Sequence, residues 1–256
     1  MITKVMITLM LTACTSAEFV HEGIEKNPLQ LAENLLKAAR YEKPADEIKA
    51  DLANLDFSYL HKTLDTDKKK LAFWINIYNA YVQLFLAEKP ELFEDRGAFF
   101  SSPRIPIAGK TLSFDDIEHG IIRRSQSKLT LGLIPKLFVN KYERKMRTNE
   151  RDGRIHFALN CGAKSCPPVA IYEVERINEQ LDASSKKFLE GSTTYKEEEN
   201  KAYVTALFSW FRGDFGGLDG VKDYLRRYDI IEKDVNPSLS FEAYDWTLYL
   251  GNYLDL

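Results

Sequence analysis

The spacing of apolar residues divides the chain into helices and short strands. Leu29, Leu31, Leu35, Leu36 and Ala39 recur at helical intervals. Asn27-Pro28 before them offers a cap and a first-turn proline, so a helix is predicted to about Arg40. Shorter helices are predicted over 45–53 and 56–64. Lys70–Glu88 is apolar almost all round, the pattern of a buried helix. Tyrosines aside, its polar residues between Leu71 and Phe85 are Asn76, Asn79 and Gln83, and spacings of three and four put them on one stripe. Amides in a buried helix need hydrogen-bond partners. The stripe therefore either bonds neighbouring backbone or lines a polar cleft.

Beyond Pro90 the pattern shortens. RIPIAG and KTLSF, joined at Gly109-Lys110, predict a hairpin. Ser113 with Asp116 reads as a capping-box start for the helix FDDIEHGIIRRS, which carries Asp115, Glu118, His119 and Arg123. Lys128–Arg147 is basic and interrupted by Pro135, a loop plus short helix with a solvated face. In Arg154–Asn160, Ile155, Phe157 and Leu159 alternate with His156, Ala158 and Asn160, which predicts a strand running into the tight loop Cys161–Pro168. A helix over Glu175–Glu190, a hairpin over Thr193–Ala206 turning near Asn200, and a helix over Val221–Tyr228 follow. The aromatic segment Phe241–Tyr253 is expected to pack back on the domain as a strand or helix. Separated strands among helices predict an α+β fold, helices packed around a small, mostly antiparallel sheet, rather than alternating βαβ units.

Composition adds a boundary and a compartment. The 256 residues, 45% hydrophobic and 29% charged, suit a folded domain with a real core, and the net charge of −3 offers no basic field for nucleic acid. No internal apolar run reaches the roughly 18 residues of a membrane span. Met1–Ala13 has one lysine, an apolar middle and small residues before Cys14, as a signal peptide does. Leu11-Thr12-Ala13-Cys14 resembles the lipobox of bacterial lipoproteins, which implies cleavage before Cys14 and acylation of its thiol, with palmitate among the acyl chains. The expected organisation is a signal peptide over 1–13, a tether over 14–26 and one α+β domain over 27–256. Thr15 after the cysteine favours the outer membrane, facing the periplasm, by analogy with enterobacterial sorting. The membrane is then a partner through the lipid anchor, and any small-molecule or peptide ligand is undefined.

Reactive residues concentrate in RIHFALNCGAKSCPP, 154–168. Cys161 or Cys166 can serve as a nucleophile if His119 or His156 takes the thiol proton and Asn79, Asn160 or Asp115 orients the imidazole. Loop amides near Gly162 would then be oxyanion donors. In an exported protein the same two cysteines suit a disulfide. Two cysteines and two histidines also permit zinc, though no paired H-x3-H spacing supports it. Each histidine can equally be a satisfied core residue. No nucleotide-binding, serine-hydrolase or zinc-protease motif is present, and no cofactor is implied.

AFWINIYNAY (72–81), IEHGIIRR (117–124), RIHFALNCGAKSCPP (154–168) and FSWFRGDF (208–215), in that order, resemble the domain-of-unknown-function 547 family over about 66–215. Gly153 stands where the family commonly has proline. The resemblance places Asn76, Asn79, His119, Arg123, His156, Cys161, Ser165 and Cys166 in motif cores. Its helix–histidine–cysteine theme is similar to papain-like and transglutaminase-like folds, but the buried helix here carries Asn76 and Asn79 and no cysteine. The expectation is thiol-dependent acyl or amide chemistry with Cys161 as nucleophile and Cys166 as the lesser candidate. The alternative is a binding or structural lipoprotein with a Cys161–Cys166 disulfide.

Overall fold

The computed structural model describes residues 26–256. The expected signal peptide, Cys14 and the tether up to Glu25 lie outside the described residues. Asn27 caps α1 (Pro28–Arg40), its Oδ1 accepting from Leu29 N at 3.0 Å. α2 (Asp46–Asn54) and α3 (Phe57–Thr63) follow, the latter capped by Asp56. Thr66 caps α4 (Asp67–Glu88), which is buried on every side from Lys70 to Gln83 and forms the axis of the larger core. α1 packs along it. No described helix is long and apolar enough to cross a membrane.

After α5 (Arg96–Ser101), β1 (Ile105–Ile107) and β2 (Lys110–Leu112) pair antiparallel across the expected turn. The capping box forms: Asp116 Oδ2 accepts from Ser113 N at 2.9 Å and Ser113 Oγ accepts from Asp116 N at 3.0 Å. The helix it opens, Asp116–Ile122, is π-helical, not α-helical. Its wider winding shows where Arg123 N donates to Glu118 O, five residues back, at 2.8 Å. α6 (Lys141–Met146) is the short helix of the basic segment.

Residues 154–160 are not a strand. Gly153–Phe157 winds as a 3₁₀ turn. Asp152 starts it, its Oδ1 accepting from Arg154 N at 3.0 Å while the same carboxylate holds the Arg154 guanidinium. Ile155, His156, Phe157 and Ala158 are all buried, so the alternation of residue types was never an alternation of environment.

α7 (Ile177–Ser192) leads into the hairpin of β3 (Thr194–Lys196) and β4 (Lys201–Val204), with Asn200 left-handed at its turn. α8 (Leu207–Trp210) and α9 (Gly217–Arg227) precede β5 (Ser238–Phe241), which joins β4 in parallel. The protein is thus α+β, with one two-stranded and one three-stranded sheet that are antiparallel except at β4–β5. A second core gathers Phe157, Leu189, Phe208, Phe215, Val221 and Leu225. Each fully buried side chain of this kind contributes about 1.5–3 kcal/mol over its exposed state. Past β5 the chain is mostly a strap without regular structure, and it lies along the loop 161–169. Lys164 N donates to Thr247 O at 2.8 Å, Tyr249 N to Gly162 O at 2.8 Å and Leu254 N to Val169 O at 2.9 Å.

Candidate functional site

The π-helix, the 154–168 segment, α8 with the turn after it, and the strap enclose a cavity of about 400 Å³. Its aromatic walls include Phe100, Trp210, Phe211, Tyr244 and Trp246; its polar side carries Asp115, Glu118, His119 and His156. Residues four apart stack along the π-helix, which sets Asp115, His119 and Arg123 in a row. His119 Nδ1 lies 2.6 Å from Arg123 Nη1. A guanidinium has only donors, so in this contact Nδ1 accepts and the ring N–H is on Nε2. Nε2 faces Asp115 Oδ1 at a long 3.5 Å. The Glu118 carboxylate approaches Nδ1 at 3.7 Å, but against a lone pair this is no ion pair.

His156 comes from the 3₁₀ turn. Its Nε2 is 2.8 Å from Asp214 Oδ2, and its ring stacks on Phe211 at 3.8 Å and 13°. Burial lowers the His156 pKa; Asp214 works against that shift and Arg123 adds to it. At neutral pH the imidazole is therefore uncharged and donates through Nε2. Asp214 also accepts from Arg123 Nε and, on its other oxygen, from Arg151 Nη1 at 3.3 Å. Burial alone would raise the Asp214 carboxyl, but His156 and Arg123 outweigh it and hold it at about 2. The Arg123–Asp214 pair is nearly sealed from solvent, with side chains 1% and 2% exposed, and the guanidinium carbon sits 4.6 Å from the Phe211 ring centre. Gly213 makes this closure possible. A Cβ there would collide with the Gly132 backbone, and Gly213 N donates to Leu131 O at 2.8 Å.

The family model described as "Protein of unknown function, DUF547" matches residues 62–189, half of the chain. The chain belongs to the DUF547 family. No curated protein and no solved structure gives a significant match. The DUF547 match spans three of the four blocks noted in the sequence. The fourth, FSWFRGDF, lies past its end and still supplies Asp214 and Phe211 to the site.

The remaining expected site residues fall into two groups. Cys161 and Cys166 are bonded to each other, with Cα atoms 6.1 Å apart, and Cys161 lines the cavity. A nucleophilic role for either sulfur thus requires reduction first. Zinc fares no better: the sulfurs are tied up, and no group of three or more candidate ligands is arranged to hold a metal among the described residues. The loop amides are also occupied. Cys161 N and Ala163 N point at Cys166 Sγ at 3.0 and 3.2 Å, Gly162 N at Asn160 Oδ1 at 2.9 Å, and Lys164 N and Ser165 N at the strap. No oxyanion hole is open there. Gly162 sits at φ +86°, a conformation that disfavours any side chain, and a Cβ there would also push on the Leu86 methyl at 2.6 Å.

Asn79 sits on α4 and faces backbone, not an imidazole: Nδ2 donates to Ala158 O at 2.9 Å and Oδ1 accepts from Asn160 N at 2.8 Å. Asn76 brackets Tyr172 in the same way. The expectation that Cys161, His119 and His156 share one site therefore corresponds to their common cavity, while Asn79 supports its wall from behind. Sequence reasoning named Glu118 on its helix without giving it a role in the site, and gave none to Asp214, Tyr78 or Tyr244. The Tyr78 hydroxyl donates to Glu118 Oε2 at 3.4 Å, and burial pushes its pKa well up, with Glu118 and Asp115 adding to the rise. Tyr244 OH reaches Cys166 Sγ at 3.2 Å. For Asp214 the available signal was its place in the FSWFRGDF block.

Proposed function

We propose that this chain is a lipid-anchored protein of the bacterial envelope whose cavity receives a small ligand with a cationic amine on an aromatic or aliphatic body. The anchor rests on the apolar Met1–Ala13 stretch and on Cys14 behind Leu-Thr-Ala. The ligand class rests on Glu118. Its side chain is 14% exposed, its one hydrogen-bond donor is the Tyr78 hydroxyl, and it has no cationic partner among the described residues. Asp115, by contrast, is neutralised by Lys128 at 2.9 Å. A partly desolvated, unpaired carboxylate beside aromatic faces favours a cation over an anion or a neutral guest. The test is titration calorimetry with phenethylamine, tryptamine and their carboxylate counterparts on wild type and Glu118→Gln. Amine binding that weakens by roughly tenfold or more in Glu118→Gln fits the loss of one charge-assisted contact. Equal binding of the carboxylates, or an indifferent variant, rejects it.

One observation favours a second reading, thiol-dependent acyl or amide chemistry: Cys161 shares the cavity with His119 and His156. Under it, once an added dithiol has reduced the disulfide, the Cys161 thiolate attacks the carbonyl of an activated ester, forming a thioester and releasing the alcohol, faster than Cys166 does. Equal, slow labelling of both cysteines after reduction excludes this reading.

A further inference from the structure

Among the described residues, the segment 128–138 carries most of the exposed bulky apolar side chains. Leu129, Leu137 and Phe138 are 91%, 89% and 91% exposed, and Leu131, Leu133 and Ile134 are also open to solvent. Elsewhere only Tyr41, Leu218 and Tyr249 are comparably exposed among the described residues. Scattered exposed leucines need no explanation, but this many in one short loop do. Nor is the loop collapsed or unpinned. Its neck is closed by Ser127 N donating to Ile134 O at 3.1 Å and Lys136 N to Ser125 O at 2.7 Å. Arg151 Nη1 holds Gly132 O at 2.8 Å, and Thr130 Oγ1 donates to Ile134 O at 3.0 Å. The backbone is therefore fixed in a shape that turns these side chains outward.

The charge around the loop is one-sided. From Arg124 to Arg147 there are seven basic side chains and a single acidic one, the buried Glu143, in a chain whose net charge is −3. Lys141 and Lys145 are exposed just beyond the apolar tip, while Lys136 is paired with the buried Glu143 at 3.4 Å. Exposed leucine and phenylalanine bounded by lysine match an anionic phospholipid surface: the rings and chains enter the acyl boundary and the ammonium groups stay with the phosphates. We propose that residues 128–138 form a membrane-contact loop that inserts into an anionic bilayer interface. The proposal stands on the loop alone and does not depend on acylation of Cys14 or on the ligand assigned to the cavity. Because Lys128 and Leu131 also line the cavity, insertion would set the cavity mouth at the bilayer surface.

The test uses the chain from residue 14 carrying Cys14→Ser, so that neither an acyl chain nor the apolar Met1–Ala13 stretch contributes, in flotation with vesicles of phosphatidylethanolamine and phosphatidylglycerol or of phosphatidylcholine alone. Adding Leu137→Ser and Phe138→Ser should lower partitioning to the anionic vesicles by roughly tenfold or more, with no loss of thermal stability because both residues are exposed. Lys141→Gln with Lys145→Gln should remove the preference for anionic over zwitterionic vesicles. Equal flotation of the serine variant and its parent overturns the proposal. So does a concentration-dependent dimer in sedimentation that the serine variant abolishes, since the loop would then be covered by a second copy of the chain.

Discussion

Replacing Asp214 with asparagine keeps the side chain's shape and removes the charge on which two buried groups depend. In the folded protein the carboxyl is held at about 2, against an ordinary value of 3.8. At about 1.36 kcal/mol per pH unit, that difference corresponds to roughly 2 kcal/mol of folding stability. The variant loses more than this, because Arg123 stays behind as a sealed cation with no counter-charge, and breaking a buried pair from one side costs about 3–5 kcal/mol. Asp214→Asn is therefore expected to destabilise by about 3–4 kcal/mol at pH 7, read as a lower urea midpoint with an unchanged denaturant slope.

The sign follows from the direction of the shift. A carboxyl whose folded pKa lies below its unfolded one contributes fully above the unfolded value. Its contribution disappears as pH falls through the folded value, so here it is lost between about 4 and 2. Adding Arg123→Met to Asp214→Asn should recover part of the loss, since the uncompensated charge is gone. A loss below about 1 kcal/mol for the single variant would falsify the placement of Asp214 as the buried counter-charge, because that is the range of a solvated surface pair.

Three further outcomes are expected. His156 has a lowered pKa, so below about 6.5 the unfolded chain takes up a proton that the folded one refuses; stability should then fall with pH by up to about 1.36 kcal/mol per unit, and His156→Gln should flatten that slope between pH 7 and 5 relative to wild type. An unchanged slope in the variant would show that other groups cause it. Asn79→Ala leaves the Ala158 carbonyl and the Asn160 amide buried without partners and should cost about 2–5 kcal/mol in urea unfolding; a cost near zero means water replaces the amide. Cys161→Ala with Cys166→Ala opens a small covalent loop and should cost about 2 kcal/mol; a stability equal to wild type under oxidising conditions would mean the bond is not formed.

What was legible in the sequence depended on whether a local pattern had a local cause. α4 could be read from its unbroken apolar surface, and the β1–β2 hairpin from its glycine turn, because each signal acts within a few residues. The 3₁₀ turn at 153–157 was misread because residue alternation stood in for burial, while the cap from Asp152 and the packing of all of Ile155 to Ala158 decided the outcome. The site divides in the same way. His119 and His156 stood out by scarcity. Asp214 did not, since one acid in a glycine-rich break resembles a solvated turn, and its partners lie 58 and 91 positions away.

The amide stripe of α4 shows why a buried polar residue near a reactive motif is weak ground for a catalytic role. Asn76, Asn79 and Gln83 each bond through both ends of the amide, the NH2 as donor and the oxygen as acceptor. Asn76 takes the two backbone groups of Tyr172, Asn79 takes Ala158 O and Asn160 N, and Gln83 takes Asn160 Oδ1 and Gly251 N. All of these partners are backbone groups or Asn160, so none of the three amides orients an imidazole. What they do is fix the far wall: the stretch from Ala158 to Gly162 and the strap at Gly251 are tied to one rigid helix, and Asn160 passes the constraint on through Pro167 O at 2.6 Å. The groups with unspent capacity are on the opposite wall, where Glu118 lacks a cation and His119 turns Nε2–H toward a distant Asp115. A change on the stripe should therefore disturb the cavity only as far as it loosens the fold, whereas Glu118→Gln should alter binding at constant stability. Finding the two effects exchanged would place the chemistry on the amide wall after all.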